Sequence, residues 1–345
     1  MIKINLEKKI AESNYTISTF RSEYLKSIRD CKLTIITGKN TALKDRFGLY
    51  PGKDNAELLV IKSNIKNQLT IDEVFYECYK NNLTLRQFID RKFNHSPIRN
   101  KLGAKSIVNT IILSSPEKLE EYCTTIPTPD PIKDLIYNIF NYDKFGKYNT
   151  SPKKTMRDVI ASLNFKVCVY CNRNYTSNFS DKHKAHPTFT LDHFYQKDIH
   201  PLFALSVYNL IPSCSVCNTT IKGSRNLEHY KNPYSKTYRF HELSKFKLYP
   251  NFKVNLESTS QDCRQYIKDF KINEIYQCHD KEVKDIVIKG QKFNRHVIQN
   301  IAEFTGDSPE KIKDVIFGSY RTSLEIGEES LAKLKYDLVR ELGIY

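Results

Sequence analysis

The spacing of apolar positions changes several times along the chain, and each change marks an element. Ile2, Ile4 and Leu6 recur at every second residue, which predicts a short N-terminal strand. Short apolar runs at 33–36 and 58–61 carry the same expectation. The period then lengthens to that of helices. Thr70 and Glu73 have capping-box spacing ahead of Val74, Phe75 and Cys78, and Thr84 with Gln87 repeats it ahead of Phe88 and Ile89. Ser115-Pro116-Glu117 and Asp130-Pro131 predict two helix starts with proline in the first turn. The second of these helices carries Ile132, Leu135, Ile136, Ile139 and Phe140 on one face. Further on, KVNLE at 253–257 alternates like a strand. Val283, Ile286, Val287, Phe293, Val297, Ile301 and Phe304 then fall on one stripe, which predicts a single long helix over about 281–304 with Gly306 past its end. Ser308-Pro309-Glu310 opens another helix, and EESLAKLKYDLVREL closes the chain as a third.

This order of elements predicts an α+β fold, mostly helical. The Pro-rich IPTPDP at 126–131 and the polar FGKYNTSPKK at 145–154 are the boundary signals. They divide the chain into a mixed α/β region at 1–150, a central module at 151–245 and a helical region at 246–345, with no internal repeat. At 345 residues the chain can bury a sizeable core. No apolar run has membrane-spanning length, and MIKINLEKK lacks the apolar centre of a signal peptide, so a cytoplasmic protein with no membrane partner is expected. One stretch imitates a nucleotide-binding loop. ITGKNTALKD at 36–45 has Leu43 where that loop needs glycine and Asp45 where it needs Ser or Thr, so a turn after a strand is expected instead.

Charge narrows the range of partners. The formal net charge is +15, and it is unevenly spread. Residues 1–150 hold 24 Lys+Arg against 17 Asp+Glu, residues 151–245 hold 14 against 6, and residues 246–345 hold 16 against 16. A Lys-rich bias alone would lift every segment, and the neutral last third argues against it. The dense positive charge of the middle favours a polyanion, nucleic acid first.

The chemistry-bearing residues lie in that same middle. Cys168 and Cys171 form one Cys-x-x-Cys pair, and Cys214 and Cys217 form a second after 42 intervening residues. Two such pairs predict a tetrahedral structural zinc site. A redox role would need only one pair in a βαβ setting, which is absent. The other five cysteines (Cys31, Cys78, Cys123, Cys263, Cys278) are scattered, as small buried hydrophobes are. Between the pairs, Asp192-His193 ends a strand-like run. Neighbouring strand residues face opposite sides, so this pair can offer a carboxylate to a metal and an imidazole to a water. Asn209 suits an amide that pins a loop through the backbone. The segment 214–222 is expected to form a short helix stopped by Gly223, with Asn218 able to turn its amide oxygen to the same metal as Asp192. Lys222 and Arg225, at its end, are candidate phosphate contacts or simply a solvated surface. His183, His186 and His200 have no such context and read as loop residues. A carboxylate, a histidine and one asparagine between two cysteine knuckles, with a second asparagine just after them, point to metal-dependent phosphodiester hydrolysis.

The order CVYCNRNY, LDHFYQK, YNLIPSCSVCN resembles the HNH endonuclease superfamily with its ββα-metal fold, in the form whose last position is Asn. More narrowly it is similar to the HNH nuclease subunits of bacterial anti-phage systems, Septu-like and retron-associated. The likeness extends to about residue 300, and residues 1–125 are outside it. The resemblance implies that His193 is the general base, that Asp192 and Asn218 hold one Mg2+ (or Mn2+), and that Asn209 fixes the loop orienting His193. It implies that Cys168, Cys171, Cys214 and Cys217 hold zinc away from the chemistry. It further implies a nucleic-acid substrate, with DNA ahead of RNA but the choice left open, a defence effector, and an ABC-type ATPase or another defence-system partner. Gln196 stands where relatives often show proline. A zinc nucleobase deaminase does not fit, since no histidine here is followed two residues later by glutamate and Ser213 separates Pro212 from Cys214. A non-catalytic zinc-stabilised module that binds nucleic acid or docks a partner stays open beside the nuclease.

Overall fold

The computed structural model describes residues 2–37, 58–61, 69–147, 154–176, 178–180, 185–318 and 326–344. Most of the ITGKNTALKD stretch, His183 and part of the 145–154 boundary lie outside them. The described residues form a mostly helical α+β protein with four separate two-stranded sheets. All four are antiparallel: β1 (Thr34–Thr37) with β2 (Leu58–Ile61), β3 (Asn178–Ser180) with β4 (Ala185–Pro187), β5 (Thr190–His193) with β6 (Leu210–Ser213), and β7 (Ser244–Tyr249) with β8 (Lys253–Ser258). Among the described residues no helix is long and apolar enough to cross a membrane.

Capping chemistry decides where several helices begin. Thr70 and Glu73 close the expected box at the start of Ile71–Asn81. Ser115 caps Pro116–Thr125, accepting from the Lys118 N–H at 3.3 Å. The box expected at Thr84 and Gln87 does not form, because Asn82 accepts from the Leu85 N–H at 2.8 Å and starts Leu83–Lys92 earlier. The N-terminal strand is corrected in the same way. Ile2 and Ile4 donate backbone bonds to Val169 and Pro233 (3.0 and 2.9 Å), but Asn5 then caps a helix, Leu6–Glu12. An Asn cap outweighs a two-residue alternation.

The long helix expected over 281–304 is two helices, Asp280–Lys292 and Arg295–Thr305. Asn294 breaks it, its side chain accepting from the N–H groups of His296 and Val297 at 3.1 Å each. Gly306 ends the second helix in a left-handed conformation (φ 72°), and Ser308 caps the next, Pro309–Phe317. The helical C-terminal region also contains the β7–β8 hairpin, of which the alternation revealed only β8. Residues from Ile2 to Leu338 share one apolar core, and the four paired cysteines lie inside it. A smaller cluster of Ile298, Ala302, Ile312, Phe317, Ala332 and Val339 sits beside it.

The last helix, Ala332–Glu341, is fastened to β7 by a buried ion pair. The Lys333 ammonium donates to Asp337 Oδ2 at 2.6 Å and to the Ser244 carbonyl at 2.7 Å, and Asp337 Oδ2 accepts from the Phe246 N–H at 2.8 Å. Burial pushes the Asp337 carboxyl up and the Lys333 ammonium down, and their pairing opposes both shifts. Removing one partner strands the other charge. Asp337→Ala is expected to cost roughly 3 kcal/mol or more in urea unfolding, whereas breaking the solvent-exposed pair Lys118–Glu121 should leave the unfolding midpoint nearly unchanged.

Candidate metal centre and neighbouring histidine

Each Cys-x-x-Cys segment turns tightly enough to present two sulfurs inward. In the first, the Asn172 N–H donates to the Cys168 carbonyl at 2.8 Å and the Cys168 N–H to the Asn174 carbonyl at 2.9 Å, with Asn172 left-handed at φ 53°. The second follows β6 directly. The four Sγ atoms lie within 4.8 Å of one another, all buried, none in a disulfide. A tetrahedron with metal–sulfur distances of about 2.3 Å has sulfur–sulfur edges of about 3.8 Å, so the cluster has the size and ligand type to hold a metal ion. Polar hydrogens face the sulfurs: Asn174 Nδ2 is 3.2 Å from Cys214 Sγ, and the Arg173 and Cys217 N–H groups are 3.4 Å from Cys171 Sγ and Cys214 Sγ. Such donors stabilise thiolates. The remaining cysteines are buried or partly buried apart from Cys278, which is exposed.

The hairpin between the knuckles pairs Asp192 with Ile211 and His193 with Leu210, and it is followed by a helical segment, Val216–Lys222. That segment is wide, the Gly223 N–H reaching back five residues to the Asn218 carbonyl at 3.0 Å. Gly223 stops it at φ 54°, ψ −126°, a conformation that a side chain would strain.

Asp192 and His193 face opposite sides of β5. Asp192 is buried, and both of its oxygens are engaged: Lys222 Nζ donates to Oδ1 at 2.6 Å and Tyr170 Oη to Oδ2 at 2.5 Å. Burial pushes its carboxyl up, and Lys222 together with the Tyr170 hydrogen bond opposes that. The half-buried His193 has Nε2 at 3.0 Å from the Ala204 carbonyl and the edge of its ring against Tyr142, centroids 4.6 Å apart. A carbonyl only accepts, so Nε2 carries the hydrogen and Nδ1 keeps a lone pair. Burial pushes the imidazole pKa down to about 4, which keeps the ring neutral near pH 7.

Asn209 is buried and ties the intervening loop to itself. Its Oδ1 accepts from the Tyr195 N–H at 2.7 Å, and its Nδ2 donates to the Tyr195 and Phe203 carbonyls at 3.0 Å each. Phe203 precedes Ala204, the residue that orients His193. Asn218 donates from Nδ2 to Thr190 Oγ1 at 3.0 Å, which leaves its Oδ1 as the acceptor.

Lys222, expected at a helix end facing phosphate or solvent, is instead buried on Asp192, and it also donates to the His193 carbonyl at 3.0 Å. Arg225 is exposed and donates to the Asp269 carbonyl. His200 is buried against Glu228. Tyr170, Tyr142 and Asn174 were not singled out by sequence reasoning. Tyr170 lies inside the first knuckle, where only the cysteines stood out, and Tyr142 is 51 positions ahead of His193 with no local signal. For Lys222 a signal existed, since its four-residue spacing from Asn218 puts both on one face.

No protein-family model, no curated protein and no solved structure matches this chain.

Cys214→Ser is expected to lose bound zinc and lower the melting temperature, because metal binding to such a set is part of the folding free energy. Elemental analysis of the purified protein and a thermal melt with and without a strong chelator check this. A stable, metal-free wild type would contradict it.

Proposed function

We propose that this chain is a divalent-metal-dependent endonuclease of the HNH kind, acting on phosphodiester bonds of nucleic acid, with DNA as the substrate. The observation that carries the reading is the state of His193: its Nε2–H is spent on a backbone carbonyl, and a neutral Nδ1 is left to take a proton. The hairpin followed by a helical segment, the positions of Asp192 and Asn218 beside it, and the positive charge of residues 151–245 support it. Two oxygen donors, one a carboxylate, match the hard ions Mg2+ and Mn2+, which keep most of their waters. Asp192 and Asn218 would hold that ion, and the four cysteines would hold zinc.

Within this reading His193 accepts the proton of the attacking water, and the Ala204 carbonyl fixes which nitrogen does so. Asn209 holds the loop that supplies that carbonyl. When bound, the divalent ion would offset charge on the phosphate and the departing 3′ oxygen. The products would carry 5′-phosphate and 3′-hydroxyl ends. The resemblance adds a setting, a cytoplasmic effector of anti-phage defence working with an ABC-type ATPase or another partner of that system. A second reading, a non-catalytic zinc-stabilised module for nucleic acid or partner docking, is favoured by one observation: Asp192 is already matched by Lys222 and Tyr170, as a purely structural carboxylate would be.

Cleavage of plasmid DNA with Mg2+, and its loss in EDTA, separates the two. His193→Ala is expected to lower the rate by about 10²–10⁴-fold while zinc content and melting temperature stay as in wild type. Full activity in that variant would remove the base assignment. The pH profile gives a further check. A histidine whose folded pKa lies near 4 is unprotonated throughout the neutral range, so the acid limb of the rate should fall near pH 4 to 5 rather than near the ordinary histidine value of about 6.5.

A further inference from the structure

Lys222 adds a charge that the nuclease reading does not use. Its ammonium is buried on Asp192 Oδ1 (2.6 Å) and on the His193 carbonyl (3.0 Å), both belonging to the strand that carries the candidate base. Tyr170 takes the other Asp192 oxygen. An ionised carboxylate has about four lone-pair sites, so these two donors leave Asp192 able to face a metal as well. They also leave the centre without net negative charge, because the Lys222 ammonium matches the Asp192 carboxylate and the Asn218 amide carries none. Divalent-ion sites gain affinity from the number of charged ligands, and an adjacent ammonium opposes a second cation.

We infer that Lys222 makes the Asp192–Asn218 centre charge-neutral, so that it takes up a divalent ion together with the phosphate of a nucleic acid and only weakly without it. This inference rests on the metal-dependent reading above. Lys222 is then a positioning residue acting through Asp192. It keeps the nuclease unloaded until a polyanion supplies the missing charge, and it makes metal and substrate binding reciprocal, each raising the affinity for the other by the same factor.

The test uses the full chain carrying His193→Ala, so that nucleic acid survives, and measures Mn2+ binding by electron paramagnetic resonance with and without a duplex oligonucleotide. Weak Mn2+ binding that the oligonucleotide tightens by on the order of tenfold or more is expected. Lys222→Met in that background should bind Mn2+ alone on the order of tenfold more tightly and lose most of the oligonucleotide effect. Lys222→Gln, which keeps a donor for Asp192 without the charge, should behave the same way if the methionine variant folds poorly, as judged by zinc content and thermal melting. Lys222→Arg should restore the original pattern. Unchanged Mn2+ affinity and unchanged coupling in the neutral variants would overturn the role of Lys222 and leave the nuclease reading standing. Failure of every variant to bind Mn2+ even with the oligonucleotide would remove the metal-dependent reading itself, and this inference with it.

Discussion

Four cysteine sulfurs held within 4.8 Å inside an apolar core are not a neutral arrangement. As thiols they leave weak donors buried, and as thiolates they repel, whereas a shared cation could satisfy all four at once. Much of the fold is hung on that point. Tyr276 Oη donates to the Cys171 carbonyl at 2.7 Å and Tyr266 Oη to the Tyr170 carbonyl at 3.0 Å. Asn172 donates to the Ile326 carbonyl at 2.7 Å, accepts from the Lys333 N–H at 2.8 Å, and takes the Leu331 N–H on its own carbonyl at 2.7 Å. The knuckle therefore fixes where the last helix begins. Leu331 is left-handed at φ 60°, so the helix expected from the EESLAKL run starts only at Ala332.

The same anchoring determines how rigid the hairpin can be. At one end Thr190 pairs with Ser213, one residue short of Cys214. At the other, Asn209 stitches Tyr195 and Phe203 together just past His193. A strand pair held at both ends leaves Asp192 and His193 little freedom to exchange faces, since a one-residue slip would invert both. Under the proposed nuclease reading, preorganisation of this kind would keep the proton acceptor in place without a cost at the moment of reaction.

How much of this could be read in advance follows from how local each signal was. The two Cys-x-x-Cys pairs, Asn209 as a loop clamp and the stop at Gly223 depend on residues a few positions apart, and their positions were legible. The caps at Thr70, Ser115 and Ser308 were legible for the same reason. The N-terminal strand was misread because alternation at Ile2, Ile4 and Leu6 says nothing about Asn5, whose side chain decides the outcome. The long helix was misread because an apolar stripe runs smoothly through a break made by one polar side chain, Asn294. Lys222 reads from sequence as a phosphate contact or a solvated residue because charge argues for exposure, and tertiary structure shows a carboxylate waiting 30 positions upstream.

The segment Val216–Lys222 shows why those distant demands meet in so few residues. Cys217 must face the sulfur cluster, Asn218 must reach Thr190 on β5, and Lys222 must reach Asp192 on the same strand. In a regular α-helix successive residues are about 100° apart, and a four-residue step falls about 40° past a full turn. Here the bond from the Gly223 N–H to the Asn218 carbonyl spans five residues, so the last turn is wider and more residues share it. From this widened turn the Asn218 and Lys222 side chains both reach β5, while Cys217 joins the sulfur cluster. One short helical segment with a widened last turn thus supplies an amide, an ammonium and a cysteine sulfur around one hairpin.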